Sequence, residues 1–315
     1  MTLPPKSATA KIVITGASGH YGRSATDRLI ALGRASDLIL MTRTPAKLAD
    51  RLAQGCDVRY GDYDNPETLA AAVQGAEKML LISGTRVGAR VVQHKAAIDA
   101  AAAAGLKHIL YTSFIGIDDD SNPAEVRHDH IETERLIKAS GCAWTMLRDA
   151  HYADAMILMA GPGMMASKSW PHNWGDGREA MVWREDCVAS AVAVLTGVGH
   201  EGQIYNITGP DLQTCAELAA LVSEITGVPI ASVPLSDEDQ YAMFDAVGIP
   251  RRPVDNLEVG GIPWNSDDMV TFGVAIRGGF LALCTGDVER LTGAPARSVR
   301  QMIEENVAML QEAAR

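Results

Sequence analysis

The first half of the sequence repeats one pattern: a short apolar run rich in β-branched residues, then a turn, then a helical segment that ends at a glycine. The glycines that end these segments are Gly33, Gly55, Gly75, Gly105 and Gly141. Glycine suits this position because it adopts the left-handed conformation at little cost. Short strands that alternate with helices predict right-handed βαβ units, and therefore a parallel sheet covered by helices on both faces.

Seven apolar runs are predicted to be strands of this sheet. They are Lys11–Thr15, Leu38–Thr42, Asp57–Tyr60, Lys78–Ile82, His108–Thr112, Trp144–Leu147 and Gln203–Ile207. We therefore expect an α/β fold with a doubly wound Rossmann sheet over residues 1–150, completed by about residues 180–210. Residues 151–180 and 211–315 lack the repeat and predict a smaller, mainly helical substrate lobe. Within that lobe, Thr214–Glu217 has the spacing of a helix-initiating capping box.

A glycine-rich loop follows the first predicted strand directly, with the sequence GASGHYG over residues 16–22. Glycines at such a turn permit close approach of the backbone to a pyrophosphate, and the next helix points its free N–H groups at the phosphates. The alternative is a structural turn without a ligand, which we consider much less favoured at the first βα turn of a Rossmann pattern. The loop residues predicted to bind a dinucleotide are Gly16, Ser18, Gly19, His20, Tyr21 and Gly22.

The end of the second predicted strand indicates which dinucleotide is bound. NAD sites place an acidic residue there, on the ribose 2′-hydroxyl, but this sequence has Arg43 and, one helical turn later, Lys47. A guanidinium can make a two-pronged contact with a phosphate. We therefore predict NADP(H) as the cofactor. The alternative is that Arg43 is a solvated surface residue.

The ends of the next three predicted strands supply further candidate cofactor ligands, because ligands of open α/β sheets bind at the carboxyl ends of the strands. Asp62 could bind the adenine amino group, and Ser83 and Gly84 would lie near the adenine ribose and the pyrophosphate. Each could equally be a simple turn residue. The full set of these candidates is Asp62, Tyr63, Ser83, Gly84, Thr112 and Ser113.

Charge and cysteine content limit the partners and the setting. The formal net charge is −11 at pH 7, which opposes non-specific binding to a phosphate backbone, so we expect no nucleic-acid partner. We also expect no membrane partner, because no apolar stretch reaches the length of a spanning helix. Five scattered cysteines without a CxxC pair indicate buried free thiols rather than disulfides. Together with the lack of a secretory leader, these features predict a cytoplasmic protein.

Several segments, in conserved order and spacing, resemble the NmrA-like atypical short-chain dehydrogenase/reductases, and most closely the quinone oxidoreductase 2 and triphenylmethane reductase branch. They include GASGHYG at 16–22, TRTPAKL at 42–48, VRYGDYDNPETL at 58–69, HIETERLIKASG at 130–141, TMLRDAHYADAM at 145–156 and DVERLTGAPARSV at 287–299. The resemblance spans nearly the whole chain. It implies a Rossmann domain, NADPH, and reduction of quinones or other conjugated electrophiles.

The catalytic candidates come from this resemblance. It implies that His130 lies near the nicotinamide and that Tyr152 lines the substrate pocket. Asp149 stands where the relatives usually have Asn, so a carboxylate there could act as a base or bind a donor group, which leaves the substrate class open. We predict no metal site, because His128 and His130 do not share a helix face.

The proton-transfer pair of classical members of the superfamily, Tyr-xxx-Lys, is absent: none of the seven tyrosines has a lysine four residues later. This absence favours an acceptor that needs little acid help, such as a quinone or a resonance-stabilised cation. The preferred function is therefore an NADPH-dependent reductase of a quinone-like or aromatic small molecule. The alternatives are an NADP(H)-binding redox sensor with little catalysis and a specialised aromatic-metabolite enzyme that uses Asp149. We expect a monomer or a homodimer.

Overall fold

A computed structural model describes residues 10–159, 161–254 and 265–313. Its centre is a sheet of seven strands, all parallel, in the spatial order β3-β2-β1-β4-β5-β6-β8. A second, two-stranded parallel sheet pairs β7 with β9. The strands are β1 Ile12–Ile14, β2 Leu38–Thr42, β3 Asp57–Tyr60, β4 Lys78–Leu81, β5 His108–Phe114, β6 Ala143–Asp149, β7 Ser169–His172, β8 Gln203–Ile207 and β9 Ala231–Pro234.

Helices cover both faces of the large sheet and form most of the C-terminal lobe. The α-helices are α1 His20–Ala31, α2 Ala49–Ala53, α3 Leu69–Val73, α4 Arg90–Ala103, α5 Val126–Ala139, α6 Gly161–Ser167, α7 Arg184–Thr196, α8 Cys215–Thr226, α9 Asp237–Ala246, α10 Ser266–Arg277, α11 Asp287–Thr292 and α12 Val299–Ala313. Short 3-10 turns lie at Ala35–Asp37, Pro45–Leu48 and Pro66–Thr68, and a π-helix lies at Asp154–Met159. No helix in these ranges is long and apolar enough to cross a membrane.

The predicted doubly wound sheet is confirmed, and the strand after residue 200 completes it beside β6. Two strands run further than predicted: β5 reaches Phe114 and β6 reaches Asp149, paired in register to their last residues. The sequence pattern ends these strands early because polar residues close each apolar run. In the fold those polar residues are buried at the carboxyl edge of the sheet.

The helix predicted from the capping box at Thr214–Glu217 is confirmed. The Thr214 hydroxyl accepts the Glu217 N–H at 3.1 Å, the Glu217 carboxylate accepts the Thr214 N–H at 2.9 Å, and Gly227 ends α8 with φ 74°. One apolar core contains side chains of the large sheet, such as Leu147, together with lobe residues such as Met302. Whether the lobe is a separate substrate domain stays a prediction.

The cysteine prediction is only partly correct. All five cysteines are free thiols, and Cys56, Cys187 and Cys215 are buried. Cys142 is half-buried and Cys284 is exposed, so the expectation of five buried thiols was wrong. Cys284 lies in the loop between α10 and α11, where no helix face or sheet face turns its side chain into the core.

Candidate functional site

The glycine-rich loop turns tightly between β1 and α1. Gly16 has φ +57°, and its carbonyl accepts the Gly19 N–H at 3.0 Å. A Cβ atom on Gly22 would lie 2.6 Å from both the Gly16 carbonyl oxygen and the Ala17 Cα, so only glycine fits there. Gly19 caps α1 without a side-chain hydrogen bond. The first N–H groups of α1 therefore face outward, as an anion-binding helix end requires.

The loop is tied to the end of β2. The Ala17 N–H donates to the Met41 carbonyl at 3.1 Å, and the Ser18 and Thr42 hydroxyls lie 2.8 Å apart. This places Arg43 directly beside the loop. Arg43 is exposed, and no residue in the described ranges pairs with its guanidinium. An exposed cation at this point is suited to a ribose 2′-phosphate.

Lys47 is also exposed, one turn beyond Arg43, and a further cation lies between them and the loop. Arg23 donates to the Ser18 carbonyl at 3.2 Å and to the Lys47 carbonyl, and its guanidinium is 3.9 Å from the Asp50 carboxylate. Arg23 is not among the residues predicted from the sequence. Its position on the first turn of α1, next to a predicted phosphate loop, is the signal that could have identified it.

The two loop residues with aromatic rings point in different directions. The His20 side chain is exposed at the first turn of α1. The Tyr21 side chain is buried, and its hydroxyl donates to the Cys187 carbonyl of α7 at 3.0 Å. The Tyr21 side chain therefore joins α1 to α7, and only its backbone faces the loop.

The residues after β3 form a compact turn. The Asp62 carboxylate accepts the Asp64 N–H at 3.0 Å, and the Asp62 N–H donates to the Thr68 hydroxyl at 3.0 Å. The Tyr63 hydroxyl donates to the Ile82 carbonyl at 3.4 Å. Asp62 thus stabilises its own turn through one carboxylate oxygen, at the carboxyl edge of the sheet where an adenine would bind.

The candidates after β4 and at the end of β5 are linked to one another. The Ser83 N–H donates to the Thr112 hydroxyl at 2.9 Å, and the Gly84 N–H donates to His94 Nε2 at 3.1 Å. The Ser113 hydroxyl donates to the buried Glu134 carboxylate at 2.8 Å. The structure therefore brings these candidates to one edge of the sheet. The Thr112 and Ser113 hydroxyls, however, already form hydrogen bonds within the protein, to Ser83 and Glu134.

Asp149 and Tyr152 are in direct contact at the carboxyl end of β6. The Tyr152 hydroxyl donates to Asp149 Oδ2 at 2.9 Å, while Asp149 Oδ1 is buried and has no partner among the described residues. Asp149 is only 2% exposed. Burial raises the pKa of Asp149 to about 7, against a lowering by the Tyr152 hydrogen bond. Burial and the neighbouring Asp149 likewise raise the pKa of Tyr152, so the phenol keeps its proton.

His130 lies on α5 beneath this edge. Its Nδ1 is 2.8 Å from the Tyr111 hydroxyl, and the side chain is buried. Burial, with a smaller effect from Arg90, lowers the pKa of His130 well below its usual range, so the ring is neutral. A neutral His130 held by Tyr111 is suited to packing or hydrogen bonding rather than to donating a proton. Within the described ranges, no cluster of three or more His, Cys, Asp or Glu side chains could hold a metal ion.

A wall of aromatic rings runs along the same edge into the lobe, and most of its residues are not among those predicted from the sequence. Phe114 at the end of β5 is 6.0 Å from the His130 ring, 5.3 Å from the His151 ring and 5.3 Å from the Phe272 ring of α10. The His151 and Phe272 rings are 4.3 Å apart. His151 could have been identified from its place two residues after Asp149, but no local pattern points to Phe272.

A nicotinamide dinucleotide fits the residues at this edge. The turn at Gly22 leaves no room for a side chain, and the N-terminal end of α1 is open. The exposed Arg43 guanidinium is available to bind a 2′-phosphate. The buried Asp149 Oδ1 is a polar atom without a hydrogen-bond partner in the described ranges. Such a fit supports the predicted ligands, although the roles of the individual residues stay predictions.

Comparison with known proteins places the chain in a family. A family model described as NAD(P)H-binding matches residues 16–164. Quinone oxidoreductase 2 of Escherichia coli strain K12 is 37% identical over 246 residues, which cover 78% of this chain and 85% of that protein.

Two solved structures are similar over almost the whole chain. The crystal structure of the NADPH-dependent quinone oxidoreductase of Escherichia coli, complexed with NADPH, has a TM-score of 0.84 and 34% identity, covering 95% of this chain and 99% of that one. The Citrobacter sp. triphenylmethane reductase complexed with NADP(H) has a TM-score of 0.82 and 29% identity, covering 97% and 100%. With the glycine loop and the sheet order, these likenesses show that the chain belongs to the NmrA-like, NAD(P)H-binding family of oxidoreductases that includes quinone oxidoreductase 2.

Proposed function

We propose that the chain is an NADPH-dependent reductase that delivers hydride to a quinone or another conjugated aromatic small molecule. The observation that supports this most strongly is the aromatic wall of Phe114, His151 and Phe272 beside Asp149, at the same sheet edge as the phosphate loop. When bound, the nicotinamide supplies the hydride. The aromatic wall would position a flat acceptor, and its apolar surface would exclude water from the reacting atoms.

The proposed function is tested by NADPH oxidation against quinones, cationic triphenylmethane dyes and aromatic ketones. We expect turnover of at least one quinone or dye. Tight NADPH binding without turnover of any acceptor would overturn the reductase proposal and favour a redox sensor. The names of the relatives, quinone oxidoreductase and triphenylmethane reductase, supply the first acceptors to assay.

Arg43→Ala tests the choice between NADPH and NADH. Because Arg43 is the cation proposed to bind the 2′-phosphate, the variant should bind NADPH about tenfold more weakly and NADH with nearly unchanged affinity, as expected for a lost charged hydrogen bond. Fluorescence titration of both cofactors measures this. Arg135→Ala is a control at an exposed arginine of α5 that pairs with Glu132 away from the loop. An unchanged ratio of the two affinities would contradict the assignment of Arg43.

Asp149→Asn tests the state of the buried carboxyl. Its pKa is raised to about 7 by burial, above the unfolded value, so the folded chain binds the extra proton between about pH 4 and 7 and loses stability as the pH rises through that window. Asparagine mimics the protonated form. The variant should therefore have a Tm at least about 2 °C higher than the wild type at pH 8, and a distinctly smaller gain at pH 5.

The same substitution tests whether Asp149 tunes the substrate. If the carboxyl restricts the acceptor, Asp149→Asn should increase activity on simple quinones relative to the wild type. Equal activity of the two proteins on simple quinones would show that Asp149 does not restrict the acceptor. An equal gain in Tm at pH 5 and pH 8 would show that the pKa of Asp149 is not raised.

A further inference from the structure

The most unusual pair of charged groups at the sheet edge is His151 and Glu179. His151 Nδ1 lies 2.7 Å from Glu179 Oε2, and the Glu179 side chain is only 1% exposed. The other carboxylate oxygen of Glu179 is buried without a partner in the described part of the chain. His151 thus compensates the charge of this buried carboxylate. Because Nδ1 is bonded to Glu179, the orientation of the imidazole ring is fixed and Nε2 points away from Glu179.

The position of His151 connects this pair with the reacting region. His151 follows β6 by two residues, and its ring contacts Phe114 of β5 and Phe272 of α10. The side chain keeps 14% exposure, and Nε2 makes no hydrogen bond to any residue of the described ranges. Nε2 of His151 is therefore a polar atom next to the two phenylalanine rings of the aromatic wall.

The charges around His151 favour its protonated form. Glu179 faces it from the segment before α7, and Asp268 faces it from α10. Burial lowers the pKa of His151, but the charge and hydrogen bond of Glu179, with a smaller contribution from Asp268, outweigh it and raise that pKa overall. These neighbours favour the imidazolium form of His151, at a site where His130 is neutral and where no Tyr-xxx-Lys pair exists.

We propose that His151 is the proton donor to the acceptor and that Glu179 is its positioning residue. This inference rests on the proposed function and identifies the general acid that would protonate the acceptor in place of a Tyr-xxx-Lys pair. As hydride adds to one oxygen of a quinone, the electrons shift through the conjugated ring onto the other carbonyl oxygen, which takes the proton from His151 Nε2. The product is a hydroquinone, His151 is left neutral, and solvent returns its proton.

The acceptor class separates this role from a purely structural ion pair. A quinone gains a hydride and a proton, whereas the cation of a triphenylmethane dye gains only a hydride and becomes the neutral leuco dye. Loss of the imidazolium should therefore slow quinone reduction and leave dye reduction unchanged or faster, because a positive neighbour of the cationic dye is removed. A structural pair would affect both acceptors equally.

His151→Gln and Glu179→Gln are the test variants, assayed with 2-methyl-1,4-naphthoquinone and with malachite green. We expect His151→Gln to lower kcat for the quinone at least about tenfold, near the lower end of what a general acid contributes, and to leave kcat for the dye within about twofold. His108→Gln is the matched control, since His108 is bonded to Thr145 at 2.9 Å at the opposite end of β5. It should alter neither rate.

The pH dependence tests Glu179 separately. In the wild type, kcat for the quinone should fall as the pH rises through the raised pKa of His151, because the imidazolium is the active form. Glu179→Gln should move the His151 part of this fall to lower pH, and His151→Gln should remove that part. Any pH dependence due to Asp149 or Asp268, whose pKa values burial raises to about 7, should remain in both variants. The side-chain ¹H–¹⁵N NMR spectrum of the protein without cofactor gives a readout independent of activity: the His151 titration should shift to lower pH in Glu179→Gln.

The outcomes distinguish this inference from the proposed function. If the wild type reduces neither acceptor, the proposed function fails, while the NMR titration still reports on the pair. If the wild type reduces the quinone but His151→Gln loses both activities equally, or the pH profile is the same in all three proteins, the proton-donor role is overturned and the reductase remains. If the wild type reduces the quinone but not the dye, the proton-donor role is judged by comparing the pH profiles of the wild type and the two variants.

Discussion

Replacing Glu134 by alanine is expected to lower the free energy of unfolding by about 3–5 kcal/mol, the usual cost of breaking a buried ion pair. Glu134 is fully buried on α5, and its carboxylate accepts two hydrogen bonds from Arg148, both at 2.9 Å, as well as one from Ser113 at 2.8 Å. Arg148 is also buried, and after the change its remaining partner in the described part of the chain is the largely exposed Asp118. The change therefore leaves a buried guanidinium at the base of the site that only the Asp118 carboxylate partly compensates.

Glu132→Ala provides the matched control for this prediction. Glu132 lies on the same helix and pairs with the exposed Arg135, so its removal should cost no more than about 1 kcal/mol. Urea and thermal unfolding of both variants measure the difference. A Glu134→Ala protein as stable as Glu132→Ala would mean that the buried pair contributes nothing, and would contradict the prediction.

Gly22→Ala is expected to weaken NADPH binding roughly 10–100-fold. The new Cβ would lie 2.6 Å from the Gly16 carbonyl oxygen and from the Ala17 Cα, both of them backbone atoms that cannot move aside without reshaping the loop. Overpacking of this kind costs about 1–3 kcal/mol. Since the loop is proposed to hold the pyrophosphate with backbone N–H groups, its displacement should appear as lost affinity in an NADPH fluorescence titration.

Gly33→Ala controls for the effect of the substitution itself. Gly33 follows the other end of α1 with φ +75°, and a Cβ there would meet no atom within 4 Å. This variant should lose about 1–2 kcal/mol of stability to left-handed strain but bind NADPH within about twofold of the wild type. The cofactor assignment of the loop would be wrong if Gly22→Ala bound NADPH as tightly as Gly33→Ala.

The cofactor half of the candidate site could be predicted because its chemistry is local in sequence. The loop from Gly16 to Gly22 follows a strand and opens a helix, and Arg43 follows the next strand, so each assignment needs only the strand that precedes it. The capping box at Thr214 and Glu217 was predictable for the same reason, since its two hydrogen bonds join residues three positions apart. Arg23 was missed because its contact with Lys47 depends on how α1 packs beside β2.

The substrate half could not be predicted in this way, because its contacts join distant residues. Glu179 pairs with His151 from 28 positions away, and Phe272 reaches the same ring from α10. The neutral state of His130 and the raised pKa of Asp149 both follow first from burial, which a sequence pattern does not show. Asp149 and Tyr152 were named from the resemblance, but their mutual hydrogen bond depends on the path of the chain after β6.

By itself, then, the sequence determined the strand and helix order, the parallel sheet, the phosphate loop and the family, because apolar periodicity, glycine positions and short motifs act over a few residues. The tertiary structure decided which polar groups are buried, which are paired and which lie together at the carboxyl edge of the sheet. Desolvation and ion pairing depend on the neighbours that folding brings together, and for His151 those neighbours are Glu179 and Asp268.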